Sequence, residues 1–558
     1  MLKVALFLFL CAYAHGLQVN TTEGFVEGAL SYDGRYYTFY GIPYAGPTDG
    51  QNRFKAPVPA QPYPGPFTAN DGNVICAQPT PRGIMGVENC LTVNIFTKNV
   101  TAPKPVFVFL NSNEYKNTYT QNMFSPRDIL DKETVFVSMN FRLSIFGFLC
   151  LGVPEAPGNA GLKDVIHGLK WIKANIANFG GDPNNVILLG HAAGAAMVDL
   201  LTLSPQSENL VHKAIALSGS GLAPWAVAYE PIQYAQLLGN KLGYGGKTPA
   251  DLAKHLVTTD INVIQSELAD FKFTNNTPLF APCIEDPNLN GSLITDAPIN
   301  VLRSGNYRHI PFIYGYTSKE GTFRVAEGIE NWLQLMQENF TNFLQADLKF
   351  KDNTTAEAAN IRNFYFSNSE INIATVDDYL DYQGDTLVLV STIRTAIERA
   401  STTTSEVRLV ELGYMGTSNS DWIYHQVTLN GAKHGDFLNY LFDFDIRAVD
   451  QPVRASIVNR ITGFAYNWNT LRNVAAWPPI TRNITTHLYY GGNGTPTTNN
   501  NSAIHVEEYK VTLHPQRMTF WNNLYDKYYV APTSVNSSNV AIAGVVFVML
   551  CQFIVRLF

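Results

Sequence analysis

The stretch that decides the fold class reads Val186-Ile187-Leu188-Leu189-Gly190-His191-Ala192-Ala193-Gly194. Its first four residues are wholly apolar, which is typical of a strand covered on both faces. The mostly apolar segment Ala195–Leu203 follows and predicts a helix. Glycines on both sides of residues 191–193 let backbone segments approach closely, as a sharp turn from strand to helix requires. We therefore predict a strand–turn–helix elbow centred on Ala192.

The residues before this elbow extend it into a layered pattern. Pro105–Leu110 and Thr134–Asn140 are almost wholly apolar and predict two further buried strands. Leu162–Phe179 places apolar residues near helical spacing, and Gly180-Gly181-Asp182-Pro183 ends that helix. Strand, helix and strand in this order predict a parallel sheet that is covered by helices.

The flanking regions predict the rest of the architecture. The short alternating runs Gly24–Gly28 and Tyr36–Tyr40 indicate antiparallel strands near the N-terminus. Residues from about 225 to 400 have a helical and polar pattern. The expected fold class is α/β: a large mixed, mostly parallel central sheet flanked by helices, with an N-terminal antiparallel portion.

Ala192 occupies the position that carries the chemistry in elbows of this kind. In the motif G-x-S-x-G the third residue is a serine that is exposed on the turn and acts as nucleophile. Alanine has no atom that can attack a carbonyl carbon, so nucleophilic catalysis from residue 192 is excluded chemically. No other G-x-S-x-G occurs in the chain. We therefore expect no ester hydrolysis by a serine mechanism.

Several segments resemble the type-B carboxylesterase/cholinesterase family, in the same order along the chain. They are Phe39–Ala45 with Arg53-Phe54, Glu88–Asn94, Asn140–Leu143, Gly158–Asp164, Ser218-Gly219 with Pro224–Ala226, and Arg517–Trp521. The resemblance covers nearly all of the chain and implies a single α/β-hydrolase domain. It also supports a disulfide between Cys76 and Cys90, which would close a small local loop.

The resemblance implies two further positions of a catalytic triad. Glu320 lies in Tyr314–Gly321, which is similar to the family's acid segment, and His434 lies in Gly431–Asp436, which is similar to its histidine segment. Their order after residue 192 agrees with the α/β-hydrolase order of nucleophile, acid and base. Two interpretations stay open: Glu320 and His434 form a buried structural pair, or they help to bind a ligand.

The segment Asn111–Tyr115 stands where the family typically has a glycine triplet, whose N–H groups face the developing negative charge. The altered positions of this oxyanion loop are Ser112, Asn113, Glu114 and, after the elbow, Ala193. Residues with a Cβ resist the backbone angles that glycine permits, and a carboxylate at Glu114 would repel an oxyanion. The loss of one donor already costs on the order of 10²–10³ in rate.

Other groups give little indication of an alternative chemistry. His191 is expected to pack or to hydrogen-bond, because a lone histidine is weak support for catalysis. No cysteine–histidine cluster has zinc spacing and no glycine-rich phosphate loop occurs, so no metal and no cofactor are expected. The chain has 39 basic and 46 acidic residues and no long basic run, so nucleic acid is not an expected partner.

The two ends of the chain predict a secreted protein that is attached to a membrane. Residues 1–16 combine a positive start, an apolar core and a small-x-small cleavage pattern, as signal peptides do. Residues 533–558 place a polar spacer before an apolar tail, which is typical of a glycolipid-anchor signal, although a short tail helix and a buried helix remain alternatives. The candidate anchor sites are Ser534, Asn536, Ser537 and Ser538. Residues 17–532 would then form the single domain, at the extracellular face of the plasma membrane.

Glycosylation sequons and cysteines fit an extracellular location. The N-x-S/T sequons are at Asn20, Asn99, Asn275, Asn290, Asn339, Asn353, Asn483, Asn493, Asn500 and Asn536. Together with a signal peptide they predict a heavily glycosylated surface. Cys150 and Cys283 lie in apolar contexts and are expected as buried free thiols.

The missing serine leaves three functional hypotheses. The first is a catalytically inactive cell-surface glycoprotein that acts in recognition, adhesion or as a receptor, as the resemblance to non-enzymatic cholinesterase-like surface proteins implies. Its partner would be an extracellular protein or a hydrophobic small-molecule ligand. The C-terminal tail would attach it to the membrane, and Gln516–Tyr529 could support a homodimer. The second hypothesis is a sequestering binder of hydrophobic esters. The third is a weak residual carboxylic ester hydrolase that uses water held by Glu320 and His434.

Overall fold

The structure is a computed structural model. It describes residues 16–80, 83–118, 124–246, 248–269, 278–325, 329–416, 423–424, 427–428, 431–442, 444, 446–467, 477–493 and 504–535. The predicted signal peptide, except its last residue, therefore lies outside the described residues, and so does the tail from residue 536 onward.

The described residues form strands and helices that alternate through much of the chain. The strands are β1 (Gln18–Thr21), β2 (Gly24–Glu27), β3 (Ala29–Leu30), β4 (Tyr37–Pro43), β5 (Phe67–Thr68), β6 (Gln78–Thr80), β7 (Gly83–Met85), β8 (Thr92–Thr97), β9 (Lys104–Ser112), β10 (Val135–Met139), β11 (Gly181–Ala192), β12 (Lys213–Leu217), β13 (Phe312–Thr317), β14 (Val407–Leu412), β15 (Ile423–Tyr424), β16 (Val427–Thr428), β17 (His487–Asn493) and β18 (Ile504–Lys510). The helices are α1 (Arg127–Leu130), α2 (Ser144–Phe148), α3 (Ala160–Asn175), α4 (Ala193–Leu203), α5 (Pro231–Lys241), α6 (Pro249–Thr258), α7 (Ile261–Ala269), α8 (Pro298–Ser304), α9 (Ile329–Glu338), α10 (Thr354–Phe366), α11 (Val376–Gly384), α12 (Val390–Thr402), α13 (Asp436–Leu441), α14 (Gln451–Ala465) and α15 (Pro515–Tyr528). The long region between β12 and β14 is mainly helical, as its sequence pattern predicts.

The central sheet has 11 strands in the order β18-β17-β14-β13-β12-β11-β9-β10-β8-β4-β3. The seven strands from β17 to β10 run parallel to one another. Strands β8, β4 and β3 pair antiparallel at the edge that the N-terminal region forms, and β18 pairs antiparallel with β17 at the other edge. This confirms the predicted fold class of a large mixed, mostly parallel sheet with an N-terminal antiparallel portion.

Burial on both faces explains the apolar runs of the central strands. Val106–Leu110 of β9 and Val186–Leu189 of β11 are almost fully shielded from solvent, since helices and loops pack on both sides of the sheet. Helix α4 packs against β9, β11 and β12. In α3, Val165, Leu169 and Ile172 lie on one buried stripe, which is the spacing that an amphipathic helix shows. The sheet thus presents the ends of its central strands as a rigid platform.

The cysteines form two disulfides, Cys76–Cys90 and Cys150–Cys283. The first is the expected local bridge. The second contradicts the prediction that Cys150 and Cys283 are free thiols, and their separation of 133 residues explains the error, because only tertiary structure brings them together. The side-chain amide of Asn159 holds the Cys283 backbone, donating to its carbonyl at 2.9 Å and accepting from its N–H at 2.8 Å. Disulfides form in oxidising compartments such as the secretory pathway.

The surface accommodates part of the predicted glycosylation pattern. Asn20, Asn290, Asn339, Asn353 and Asn483 are exposed, and Asn99 is half-buried with its side chain accepting a hydrogen bond from Lys104. Asn275, Asn500 and Asn536, with the side chain of Asn493, lie outside the described residues, as do Ser537 and Ser538. Ser534 is exposed. In the described portion of the chain, no helix has both the length and the apolar character that a membrane crossing needs.

Candidate functional site

The elbow between β11 and α4 has the strained backbone of a nucleophile turn. Ala192 adopts φ 54° and ψ −121°, a conformation that residues with a Cβ rarely adopt. A Cβ on Gly190 would lie 2.3 Å from the carbonyl oxygen of Gly194, and one on Gly194 would lie 2.1 Å from that of Leu110. Both glycines are therefore required by close backbone packing. The turn presents the methyl group of Ala192 where a G-x-S-x-G motif presents a hydroxyl.

Glu320 and His434 form a tightly held pair beside this elbow. Glu320 follows β13 and is buried, with Oε1 accepting the Thr317 N–H at 2.7 Å. His434 Nδ1 lies 2.6 Å from Glu320 Oε2, and the His434 backbone N–H donates to Thr322 Oγ1 at 2.9 Å. A carboxylate on Nδ1 favours the tautomer with hydrogen there, which leaves Nε2 as the basic nitrogen. The pair has the arrangement of a triad acid and base.

The loop after β9 turns back on itself and uses its own amides. Asn113 N–H donates to the carbonyl of Asn117 at 2.8 Å, so it is engaged within the loop. Glu114 and Tyr115 adopt positive φ of 52° and 56°. These residues adopt glycine-like angles although they carry a Cβ. Tyr115 is held there by burial and by its hydroxyl, which donates to the Ala226 carbonyl.

Two further oxyanion-loop positions keep their place at the elbow. Ser112 is the last residue of β9 and pairs in register with Ala192. Ala193 is the first residue of α4, and no side chain caps that helix start. Backbone N–H groups in the first turn have no partner within the helix, and the helix dipole favours negative charge there. The Ala193 amide is thus suited to face a developing oxyanion.

Glu114 does not carry the free negative charge that the sequence suggested. Its carboxylate pairs with Arg324 at 2.8 Å, and the Arg324 guanidinium also lies over the rings of Phe323 and Trp332. The guanidinium offsets the charge of Glu114. The prediction that this carboxylate repels an oxyanion is therefore corrected. The two residues are distant in sequence, and no pattern in the chain indicated their contact.

These groups surround a cavity of about 670 Å³. Ala192, Ala193, His434, Asn113 and Glu114 line it, while Ser112 and Glu320 lie behind the lining. Its apolar walls include Phe124, Trp225, Phe323, Leu387, Val388 and Leu438. Sequence reasoning did not identify these wall residues, because they come from separate loops and helices.

The surroundings of two ionisable side chains that line this cavity change their pKa values. Burial, reinforced by the nearby His434, lowers the pKa of His191 well below its usual value. Burial raises the pKa of Asp436 to about 7, although the Lys433 backbone N–H and charge oppose the shift. His191 is therefore neutral at pH 7. Within the described ranges, no group of three His, Cys, Asp or Glu side chains is arranged to hold a metal ion.

Comparisons with known proteins give this geometry a context. Residues 15–514 match the sequence profile of the carboxylesterase family. Venom carboxylesterase-6 of Apis mellifera is 28% identical over 501 residues, which cover 84% of this chain and 88% of that protein. Juvenile hormone esterase of Tribolium castaneum is 30% identical over 477 residues, which cover 78% of this chain and 80% of that protein. The crystal structure of juvenile hormone esterase from Manduca sexta, with OTFP covalently attached, aligns with a TM-score of 0.80 at 22% identity and covers 92% of this chain and 100% of that chain.

The comparisons confirm the predicted α/β-hydrolase fold and correct the predicted function. The relatives compared above are named as esterases. The hypothesis of an inactive surface protein that acts in recognition, adhesion or as a receptor is therefore wrong, because the relatives that cover most of this chain are named as esterases. That hypothesis rested on analogy within a family, and a shared fold does not select among the functions that it hosts.

Proposed function

Because the chain belongs to the carboxylesterase family, we propose that its pocket binds a carboxylic ester and hydrolyses it slowly, by direct attack of water. The observation that carries this proposal is the His434–Glu320 pair, held at 2.6 Å in a pocket whose elbow bears Ala192. A base with its orienting carboxylate is retained, while the hydroxyl that it would activate is missing. The base can therefore act only on a water molecule.

The lining of the pocket supports an ester with apolar substituents. Aromatic and aliphatic side chains such as Trp225, Phe323 and Leu387 form the apolar part of its walls, and polar side chains line the rest. Binding sites for small molecules typically combine such walls with a few orienting polar groups. The names of the similar proteins, carboxylesterase and juvenile hormone esterase, support esters as the ligand class.

The proposed reaction needs no covalent intermediate. His434 Nε2 takes a proton from water as the water oxygen bonds to the ester carbonyl carbon, and the carbonyl oxygen becomes an oxyanion near the Ala193 N–H. The tetrahedral species then breaks its bond to the alkoxy oxygen, which receives the proton from His434. Glu320 keeps the imidazole oriented and stabilises its charged form. The products are a carboxylic acid and an alcohol.

The rate should be far below that of a serine esterase. A site that has lost a triad member retains about 10³–10⁴-fold acceleration over water, from oxyanion stabilisation and binding. Here the N–H of Asn113 is engaged with Asn117, which removes one candidate oxyanion donor. Removal of a single donor costs on the order of 10²–10³ in rate. We therefore infer a low turnover that fluorophosphonates do not inhibit.

His434→Ala tests this proposal. Hydrolysis of p-nitrophenyl butyrate by the wild-type protein should exceed the buffer rate, and the variant should lose about 10²-fold, because a positioned general base contributes at least that much. The measurement is p-nitrophenolate release at pH 8. His309→Ala is the matched control, since His309 contacts Gly305 and Thr404 and is not among the pocket residues. Turnover that survives His434→Ala unchanged would refute the mechanism.

A sequestering role is the second candidate for the same pocket. The apolar part of the wall around Trp225 favours retention of an ester, whether or not it is cleaved. Ethyl hexanoate should then bind in a calorimetric titration without being hydrolysed faster than in buffer. That result would favour the sequestering role. Saturable binding together with turnover that depends on His434 would select the hydrolase.

We also propose the chain organisation that its sequence indicates: a signal peptide at 1–16, one domain at 17–532 and a glycolipid-anchor signal at 533–558. The two disulfides support passage through an oxidising compartment. Treatment of expressing cells with phosphatidylinositol-specific phospholipase C should release the protein into the medium. Retention on the treated cells would contradict the anchor. A homodimer through Gln516–Tyr529 stays a prediction.

A further inference from the structure

Asn111, His191 and Ser218 are buried polar residues that line the pocket, and each has a side-chain atom without a hydrogen-bond partner. Both ring nitrogens of His191, the Oδ1 atom of Asn111 and the Oγ atom of Ser218 are unpartnered, and each residue is at most 4% exposed. Most buried polar atoms in proteins are hydrogen-bonded, and each exception needs an explanation. We call these three residues the polar patch.

The polar patch lies at the carboxyl ends of three neighbouring parallel strands. His191 of β11 pairs in register with Asn111 of β9 on one side and with Leu217 of β12 on the other, and Ser218 follows Leu217. The three side chains therefore come from adjacent backbone positions beside Ala192. Open α/β sheets bind their ligands at this edge. The polar patch is thus part of a rigid platform, next to the position where the ester carbonyl is expected.

The donors and acceptors of the polar patch define the group that fits it. His191 is neutral, because burial and His434 lower its pKa, so its ring offers one N–H donor and one acceptor nitrogen. Asn111 Oδ1 only accepts, and the Ser218 hydroxyl does both. A carboxylate or an ester oxygen cannot satisfy Asn111 Oδ1, since neither brings a hydrogen. An ammonium group cannot accept the hydrogen of His191. An uncharged hydroxyl satisfies both requirements.

We propose that the polar patch binds an uncharged hydroxyl group next to the ester of the ligand, so that the pocket selects hydroxylated carboxylic esters. This inference rests on the proposed function, because it takes the pocket as an ester site. The hydroxyl donates to Asn111 Oδ1 and accepts from His191 or Ser218, while the ester carbon faces Ala192. An ordered water molecule offers the same donors and acceptors, and the experiment separates the two occupants.

Calorimetric titration with matched esters tests the proposal. The full-length protein should bind ethyl 2-hydroxyhexanoate about tenfold more tightly than ethyl hexanoate, because one or two additional buried hydrogen bonds form. Ethyl 2-methoxyhexanoate, which lacks the donor, should bind no better than ethyl hexanoate. In His191→Leu the hydroxyl ester and ethyl hexanoate should bind equally tightly, because the hydrogen bond to the hydroxyl is lost. Ser218→Ala provides an independent variant, in which the preference should fall by severalfold.

Phe323→Leu is the control within the same pocket. It should weaken the hydroxyl and plain esters equally and leave their ratio unchanged, since Phe323 belongs to the apolar wall. Equal binding of both esters by the wild-type protein would show an ordered water only and would overturn this inference, while leaving the ester site intact. A preference that persists in both His191→Leu and Ser218→Ala would also overturn it. If neither ester binds, the proposed function itself fails.

Discussion

Ala192→Ser is expected to make the protein react covalently with a fluorophosphonate probe and to raise kcat/KM for p-nitrophenyl esters by about 10³-fold. The single added hydroxyl would enter a turn that already has the strained backbone of a nucleophile elbow. The magnitude combines two effects. A triad nucleophile contributes about 10⁶ in rate, and an impaired oxyanion hole removes about 10²–10³ of it.

The structure supplies the groups that this serine would need. His434 Nδ1 is fixed on Glu320 Oε2 at 2.6 Å, so its other nitrogen is the base. Ala193 begins α4 directly after the elbow and offers a backbone N–H at a positive helix end. The oxyanion loop is the weaker part, because Asn113 N–H is engaged with Asn117. We therefore expect labelling to be complete but slow.

The control for this experiment is the double variant Ala192→Ser with His434→Ala. It should lose labelling, because a serine without its base is not activated. In-gel fluorescence of the probe and hydrolysis of p-nitrophenyl butyrate give two independent measurements. An Ala192→Ser protein that folds and binds ester but shows no labelling would contradict the view that Glu320 and His434 form a working relay.

Arg399→Met is expected to lower the free energy of unfolding by about 3–5 kcal/mol, because it leaves a buried carboxylate without its cation. Arg399 Nη2 lies 2.6 Å from Asp199 Oδ1, and the side chains of the two residues are 1% and 0% exposed. Methionine retains much of the length and apolar volume of arginine. The loss therefore reports the unpaired charge and not a cavity.

This buried pair connects the elements that position the candidate site. Asp199 lies on α4, behind the elbow, and accepts the hydroxyl hydrogen of Tyr314 at 2.7 Å. Tyr314 belongs to β13, the strand that leads to Glu320. The other carboxylate oxygen of Asp199 accepts the N–H of Gly221 at 2.7 Å. Loss of Arg399 should therefore also reduce turnover that depends on His434.

Arg303→Met is the matched control for the stability measurement. Arg303 pairs with Glu398 at 2.8 Å on the surface, where its side chain is 58% exposed. Exposed ion pairs contribute about 0–1 kcal/mol, so this variant should change urea denaturation very little. Similar losses of unfolding free energy in Arg399→Met and Arg303→Met would show that the Asp199 carboxylate does not depend on Arg399 as its partner.

The sequence predicted most of the fold because the relevant signals are local. Apolar runs such as Val186–Leu189 indicate strands that are buried on both faces, and glycine on both sides of Ala192 indicates a tight turn. The family resemblance placed Glu320 and His434, which the structure brings into contact. Function was harder to predict, since the missing hydroxyl at Ala192 excludes a serine mechanism but does not identify a ligand or a partner.

What the sequence could not indicate depends on residues that are far apart along the chain. The Cys150–Cys283 bridge and the Glu114–Arg324 pair each join separate segments. The polar patch depends on strand register, which places Asn111 beside His191 and Ser218 at the next strand end. Neither the spacing nor the composition of residues along the chain indicates which distant segments come into contact.

The sequence by itself determined the strand–turn–helix elbow and the absence of a nucleophile on it. Both are properties of adjacent residues: glycines that permit close backbone approach, and an alanine without a hydroxyl. Only the tertiary structure decided that a base is held beside that alanine, that the charge of Glu114 is offset, and that the atoms of the polar patch have no partner. The physical reason is that hydrogen bonds and ion pairs depend on distance in space, which packing of the whole sheet determines.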